Sequence, residues 1–208
     1  MKWLLEPVTG PDIEPVDLAR MKRELGEFAS ITDNDTDITA KIQAAREWVE
    51  DYCGVALIDQ SWRLTIDKTG ALALSGSMYR CGTAGSTLRE IHLRRSPVLA
   101  ITSIATVDAD GVETTVDPAT YQLREGDSKW PRVVPVGAAA WQNSNLRIVF
   151  RAGFADLSVS PPEDASDVPE RFKQAVILWV KGNYDGDKDA DAAAERLLRP
   201  LRCHLGFS

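Results

Sequence analysis

Two strings of acidic residues are the part of this sequence that most resembles a chemical site. Both alternate acids with other residues, as calcium-binding loops do: Asp33, Asp35, Asp37 in the first and Asp185, Asp187, Asp189, Asp191 in the second. A calcium loop needs glycine at its sixth position and glutamate at its twelfth, and both strings lack both residues. We therefore interpret these acids as solvated, helix-capping residues and predict no metal site.

The other patterns that could support catalysis or cofactor binding are also incomplete. Residues 82–87 form a glycine-rich segment without the lysine that a phosphate-binding loop requires. The two histidines are His92 and His204, and no G-x-S-x-G nucleophile elbow accompanies them. Cys203 precedes His204, but adjacent residues at a helix end do not bring a thiol and an imidazole into useful geometry. We predict no catalytic residue and no cofactor.

Composition indicates an ordinary globular protein. The chain has 208 residues, of which 44% are hydrophobic and 26% charged, so it can bury a core without metals or disulfides. Cys53, Cys81 and Cys203 are an odd set with no close pair, and we expect reduced thiols. No apolar run approaches the roughly 20 residues of a membrane span, so we expect a soluble protein that stays in the cytoplasm where it is made. A net charge of −7 disfavours tight binding of DNA phosphates.

Apolar spacing predicts four helices. Asp17 is the expected cap of the first, whose apolar face would be Leu18, Met21, Leu25 and Phe28. Asp35 or Thr36 would cap the second, which ends at Gly54 and carries the stripe Ile38, Ile42, Ala45, Val49 and Tyr52. A third helix is predicted to begin at Pro169 and end near Gly182, and a fourth to run from about Asp189 to Arg199 before Pro200.

Between the second and third helices the period of the apolar residues changes to two. Trp62, Leu64 and Ile66 alternate with polar residues, and similar patterns around residues 91–93, 121–123 and 146–150 predict five or six antiparallel strands. Residues 108–111 read as a hairpin turn and residues 75–87 as an exposed loop.

The predicted fold class is thus α+β, a helical body of about four helices with an inserted antiparallel β lobe. Residues 1–57 would form an N-terminal extended arm and two helices, and residues 58–153 the β lobe. Residues 154–208 would form the C-terminal helices and tail, which pack with residues 1–57 as one helical body.

Several strings, in this order of elements, resemble the tailed-phage head–tail connector family, also called adaptor proteins. The strings are EPVDLA (14–19), AAREWVEDYCG (44–54), ALI (56–58), QSWRL (60–64), SPV (96–98), VDADG (107–111), FRAGF (150–154) and VPERFKQAV (168–176). The strings contain no pattern typical of a catalytic site, and each one alone is only modestly specific. Their shared order over most of the chain is the stronger evidence for the resemblance. The segment 75–87 is longer than the short turn that the family has there.

The resemblance implies a homo-oligomeric ring, usually of twelve copies, in the neck of a phage, a prophage particle or a gene transfer agent. Such a ring docks on the portal protein, extends the DNA channel without binding DNA tightly, and offers a platform to a tail-side stopper or tail terminator protein. Assembly would take place in the host cytoplasm, and no membrane is involved. An acidic chain suits a channel through which DNA must pass.

Within that framework we predict two sets of contacts. The portal contact would be the C-terminal set Leu197, Leu198, Leu201, Arg202, Leu205 and Phe207. Contacts between subunits would come from the N-terminal arm and the β lobe, through Trp3, Leu4, Trp130 and Trp141, because buried aromatic residues often dominate interfaces.

Two alternatives from other classes stay open at this point. The 31 acidic residues could supply a carboxylate pair for a small hydrolase or lyase in the β lobe. The chain could also be a monomeric binding module.

Overall fold

A computed structural model describes residues 2–67, 90–137, 145–158 and 165–202, and it has the predicted α+β class. The chain divides into two compact units. Among the described residues, the helical unit consists of residues 11–59, 153–158 and 165–202, and the β unit consists of residues 2–10, 60–67, 90–137 and 145–152. Residues 2–10, which the sequence placed with the helices, therefore belong to the β unit.

The helical unit contains α1 (Leu18–Leu25), α2 (Asp35–Cys53), α3 (Glu170–Asp185) and α4 (Lys188–Leu198). Asp17 caps α1 as predicted, because its carboxylate accepts a hydrogen bond of 2.7 Å from the amide of Arg20. The prediction that Phe28 continues this helix was wrong. Gly26 adopts φ 74°, a left-handed conformation that ends a helix at low cost, and α1 stops at Leu25.

The longest helix, α2, has the apolar stripe that its spacing predicts. Ile38, Ala45 and Val49 are fully buried, and the left-handed Gly54 ends the helix. The N-cap, however, is Asn34 and not Asp35 or Thr36. The core around this stripe also takes in α1, α3, α4 and the segment after α2, through Met21, Leu57, Ile58, Val168, Ala175, Val176, Val180 and Leu198.

The β unit contains eight described strands, seven of them in residues 60–152, where the sequence predicted five or six. They are β1 (Lys2–Thr9), β2 (Gln60–Asp67), β3 (Ile91–His92), β4 (Val98–Val107), β5 (Glu113–Thr115), β6 (Tyr121–Arg124), β7 (Arg132–Pro135) and β8 (Asn145–Ala152). One antiparallel sheet has the order β1-β2-β8-β4-β5 and the other the order β3-β7-β6. The predicted hairpin joins β4 to β5, with Gly111 at φ 83°.

The inner face of the five-stranded sheet follows from the alternation in the sequence. Trp62, Leu64 and Ile66 on β2 are buried, and on β8 their cross-strand partners Phe150, Ile148 and Leu146 are buried too. The side chains between them are only half-buried. A period of two thus separates a core face from an outer face.

The N-terminal segment differs most from its predicted form. Instead of an extended arm, residues 2–9 pair with β2 in antiparallel register, for example Leu5 with Leu64. Apolar residues stand at successive positions in this segment, which hides the period of two. Pro7 is compatible with the assignment because β1 is an edge strand, where a missing amide hydrogen is tolerated.

Gly153, in the string FRAGF, lies where two segments of the chain approach each other closely. A Cβ atom at this position would lie 2.4 Å from the amide nitrogen of Asp59 and 2.5 Å from the carbonyl carbon of Ile58. Ile58 also forms a parallel bridge with Ala155. Glycine therefore lets the chain after β8 pass against the segment that follows α2.

Candidate assembly surfaces

The predicted subunit contacts Trp3 and Leu4 lie on β1, at one edge of the five-stranded sheet. The two residues are 40% and 54% exposed, and Val8 on the same strand is 43% exposed. Trp3 stands opposite the buried Ile66 and Leu4 opposite Thr65, so the two side chains project from opposite faces. We call Trp3, Leu4 and Val8 the β1 surface.

Arginines pack over tryptophans beside the β1 surface. The guanidinium carbon of Arg94 lies 3.2 Å from the centroid of the Trp3 ring, and that of Arg95 lies 4.4 Å from the Trp62 ring. A cation over an aromatic face is attracted by the ring quadrupole, which fixes the orientation of the indole. Trp3 therefore combines an exposed apolar area with an adjacent positive charge.

The other two tryptophans of the predicted subunit contact are Trp130 and Trp141. Trp130 precedes β7 and is half-buried, with its amide donating to the hydroxyl of Ser128 at 3.0 Å. Trp141 lies outside the described residues. Their contacts remain predictions.

The predicted portal contact is only partly available at the surface. Leu198 was a wrong choice, because it is completely buried in the core of the helical unit. Leu197 and Leu201 are half-buried and pack against the same core, and the guanidinium carbon of Arg202 lies 4.6 Å from the Tyr52 ring centroid. Leu205 and Phe207 lie outside the described residues.

Several acids that resemble calcium ligands have structural roles. Asp187 caps α4 by accepting hydrogen bonds from the amides of Asp189 and Ala190, and Asp35 pairs with Lys22 at 2.6 Å. Within the described ranges, no three His, Cys, Asp or Glu side chains come together as a metal ion would require.

The acids of the β unit also hold local structure. Asp108 accepts from the amides of Asp110 and Val112 in the hairpin turn, while Glu113 pairs with an arginine across the sheet and Glu125 with another in the smaller sheet. His92 Nε2 lies 3.8 Å from the Glu90 carboxylate. His204 is outside the described part of the chain.

A buried ionic cluster in the helical unit was not predicted. The Glu50 carboxylate, in a residue 3% exposed, accepts from the Leu57 amide at 2.8 Å and from Arg46 at 3.0 Å. Arg46 also donates to Glu14 at 2.9 Å. Burial raises the pKa of Glu14, and the neighbouring guanidinium opposes that rise. The cluster ties the segment before α1 and the segment after α2 to the middle of α2.

A second unpredicted network fixes the loop between α1 and α2, residues 26–34. The Lys22 ammonium, in a residue only 4% exposed, donates to the carbonyls of Ala29 and Ile31 and to the Asp35 carboxylate. Lysine is almost never this buried unless it is paired, and the three acceptors account for its burial.

The other end of this loop is tied to α3. The Tyr184 hydroxyl donates to Glu27, and the Asn34 side chain donates to Glu27 at 3.0 Å and to Tyr184 at 3.1 Å. The hydrogen bond from the phenol lowers the pKa of Glu27 and raises that of Tyr184. Residues 26–34 are thus ordered by polar contacts on two sides, while Phe28 stays 73% exposed and Ile31 43% exposed. We call residues 26–34 the Phe28 loop.

One signal in the sequence could have located this loop. Gly26 follows Leu25 immediately, and a glycine at that place ends a helix. Phe28 would then have fallen outside the apolar stripe. Nothing in the pattern could have revealed the partners of Lys22 or Glu27, because Lys22 meets Ile31 and Glu27 meets Tyr184 only through the tertiary fold.

Charge differs between the units. Residues 11–59 and 153–202 carry 22 acidic and 12 basic residues, whereas residues 1–10 and 60–152 carry 9 acidic and 12 basic ones. The excess acid of the chain therefore resides in the helical unit. None of the described helices is long and apolar enough to cross a membrane.

Comparison with known proteins gives matches at the level of structure. No protein-family model matches the chain, and no curated protein does. The chain is similar to a chain in the neck of an empty gene transfer agent particle, computed with C6 symmetry, and to one in the virion of a native gene transfer agent particle; each match has a TM-score of 0.71 and 25% identity and covers 96% of this chain and 95% of the other. A chain in the neck of a native particle, computed with C12 symmetry, matches with a TM-score of 0.68 and 25% identity over 96% of this chain and 94% of that one.

Proposed function

We propose that this chain is a structural subunit of the neck of a phage-type particle, a head–tail connector that forms a ring under the portal. One observation carries the proposal: the similarity to gene transfer agent neck chains at a TM-score of 0.71 extends over 96% of this chain and 95% of the other. A match of this extent includes both units, and a shared β lobe alone would not produce it.

The ring is supported by the symmetries of the similar structures. Their necks were computed with C6 and with C12 symmetry, and both operators are compatible with twelve copies around one axis. We propose twelve copies here, with the portal protein on one side and a tail-side stopper or terminator protein on the other. Closed rings of this kind arise from heterologous, head-to-tail contacts.

The chemistry of the surface fits a protein that acts by shape and contact. In the β unit, Asp108 accepts hydrogen bonds in the hairpin turn and Glu113 on β5 forms an ion pair, which are structural roles. The acidic helical unit would repel DNA phosphates, which suits a channel through which DNA passes without tight binding. We therefore propose no enzymatic turnover.

Removing the protein tests the proposal. We expect particles made without this chain to accumulate as DNA-filled or leaking heads separated from tails, as counted by electron microscopy. Restoring the chain from a plasmid should restore joined particles. Joined, stable heads and tails in its absence would refute the connector role, and so would purified wild-type particles that lack the chain by mass spectrometry.

A further inference from the structure

Strand β1 contributes little to the core of the β unit. It is an edge strand, and among the described strands it pairs with β2 alone. In residues 3–9, whose side chains the structure describes, Leu5 and Glu6 are half-buried and the other residues are exposed. Backbone pairing at seven positions and the Arg94 guanidinium over the Trp3 ring therefore hold β1 in the sheet.

The segment that connects β1 to the helical unit is exposed as well. Residues 7–10 and 12–13 are exposed, and a Cβ atom at Gly10 would meet no heavy atom beyond its chain neighbours within 4 Å. The chain is fixed again at Glu14, which accepts a hydrogen bond of 2.9 Å from Arg46. The connecting segment, when extended, lets the end of β1 lie up to about 17 Å from Glu14.

The other described connections between the two units are bonded to each other. Gln60 pairs with Ala152 at the end of the five-stranded sheet, and the Phe154 amide donates to the Leu57 carbonyl at 3.2 Å. Neither connection involves β1. The strand can therefore leave its sheet while strands β2 to β8 stay joined to the helical unit.

The edge of β2 that β1 covers needs a strand. Trp62, Leu64 and Ile66 on β2 are buried, and an uncovered edge would leave backbone amides and carbonyls unpaired. The β1 strand of a second copy fits this edge as well as the chain's own strand, because it offers the same seven pairs and the same Trp3 ring to Arg94. For this reason, exchange of an identical element between copies is a low-cost route to an oligomer.

One difference favours the exchanged form. In the single chain, Trp3, Leu4 and Val8 stay exposed on β1. A strand that is donated to a neighbour lies where two copies meet, and apolar side chains on both of its faces can lose contact with water there. The projection of Trp3 and Leu4 from opposite faces is compatible with such a strand, whereas a flat partner on one face would cover only one of them.

We infer that in the assembled ring β1 of each copy pairs with β2 of the neighbouring copy and not with its own. The inference rests on the proposed ring, because exchange in one direction around an axis requires repeated copies. Each copy then donates one strand and receives one, as a heterologous contact demands. The exchange gives the predicted subunit contacts Trp3 and Leu4 a defined partner strand, and it links every helical unit to the β unit of the next copy.

Disulfide trapping tests the exchange. Leu4 and Thr65 are opposed in the pairing of β1 with β2, and neither is buried. Opposed residues of antiparallel strands have Cα atoms about 4.5 to 5.5 Å apart, a separation that a disulfide can span. Particles that contain the Leu4→Cys/Thr65→Cys variant, with its natural cysteines replaced by alanine or serine, are oxidised and run on a non-reducing gel. We expect a ladder of species at multiples of the chain mass.

The matched control shares one of the two substitutions. Thr65 is opposed on its other side by Arg147 of β8, so Thr65→Cys/Arg147→Cys joins two strands inside one β unit. In the same cysteine-free background, this variant should give a single species of one chain mass. Quantitative loss of free thiols in both variants shows that both disulfides have formed.

A locked strand gives a second measurement. Oxidation of the purified Leu4→Cys/Thr65→Cys chain before assembly, followed by isolation of the species of one chain mass, ties β1 to its own β2. Added to extracts of particles made without this chain, the locked species should fail to join heads to tails, and a reductant should restore joining. The oxidised control variant should join them with or without reductant, and circular dichroism should show that both variants are folded.

The outcomes separate this inference from the proposed function. Oxidised particles that contain the Leu4→Cys/Thr65→Cys chain only at one chain mass would overturn the exchange and leave the neck role intact. A locked species that joins heads to tails without reductant would do the same. A ladder from the control variant would also count against the exchange, because it would show cross-links between copies that β1 does not make. Absence of the wild-type chain from the particles would overturn the neck role itself.

Discussion

The helical unit and the β unit stabilise their cores in different ways. The described residues of the helical unit include four buried charged side chains, Lys22, Arg46, Glu50 and Lys173, whereas the described residues of the β unit include one, Arg94. Three of the buried charged side chains of the helical unit bind backbone groups in the segments that connect its helices. Lys22 binds carbonyls of the Phe28 loop, Glu50 binds the Leu57 amide, and Lys173 donates to the Ser166 carbonyl at 3.3 Å.

The difference follows from how each structure satisfies its backbone. Strands pair their amides and carbonyls with neighbouring strands, and the period of two directs polar side chains outward. A helix pairs the backbone amides and carbonyls of its interior turns only. The helix ends and the loops between helices therefore leave unpaired backbone groups near the core. In this chain, charged side chains of the helices bind those groups. The β unit should thus depend mainly on apolar packing, and the helical unit also on buried ion pairs.

Truncating the β core should have the largest effect. Phe150 on β8 is completely buried, and we expect Phe150→Ala to lower the free energy of unfolding by about 4 kcal/mol, through lost transfer energy and the cavity left behind. Urea unfolding measures the change, which should be nearly independent of salt. Val112→Ala, at an exposed position, should change stability by less than about 0.5 kcal/mol. A small effect of Phe150→Ala would show that apolar packing does not dominate this unit.

Breaking the buried cluster of the helical unit should come next. We expect Glu50→Ala to cost about 3 kcal/mol, because it leaves Arg46 poorly compensated and the buried Leu57 amide without its acceptor. The matched control is Glu47→Ala, since the Glu47 side chain is 58% exposed at 3.6 Å from the same arginine and should contribute less than about 1 kcal/mol. Equal effects of the two substitutions in urea unfolding would show that the buried cluster contributes no more than an exposed ion pair. The proposed dependence of the helical unit on buried ion pairs would then be wrong.

The same contrast explains what the sequence could predict. Periods of 3.6 and 2 located α2, α3, α4 and the strands around β2 and β8, because burial of one face decides those elements. Gly111 and Asp17 identified a turn and a cap from local chemistry. The class of the fold followed from these elements.

The rest depends on contacts between segments distant in the sequence. The pairing of β1 with β2 joins residues about 60 positions apart, and an edge strand with apolar residues on both faces shows no period. Lys22, Arg46 and Glu50 read as surface charges on amphipathic helices until the loops that they bind are in place. The sequence singled out Trp3 and Leu4, which are exposed and whose role as subunit contacts stays a prediction, but it placed Phe28 on the buried side of a helix.

An exposed ion pair of the helical unit should have the smallest effect and separates buried from surface charge. Arg20 hydrogen-bonds to Glu170, whose side chain is 57% exposed, and this bond lowers the pKa of Glu170 from 4.5 to about 2. A lowered carboxyl pKa stabilises the folded state above the unfolded pKa, and that stability is lost as the pH falls from about 4.5 towards 2. Solvent screening limits the contribution to less than about 1 kcal/mol.

Glu170→Gln should therefore lower the free energy of unfolding slightly at pH 7, and the difference from the wild type should vanish on acidification through that range. Added salt should reduce the difference at pH 7, because exposed charges are screened over about 10 Å at 0.1 M. Glu195→Gln, at an exposed position of α4, serves as the control and should change the free energy of unfolding at pH 7 by less than about 0.5 kcal/mol. A loss from Glu170→Gln as large as that from Glu50→Ala would mean that burial does not decide the contribution of a charge in this unit.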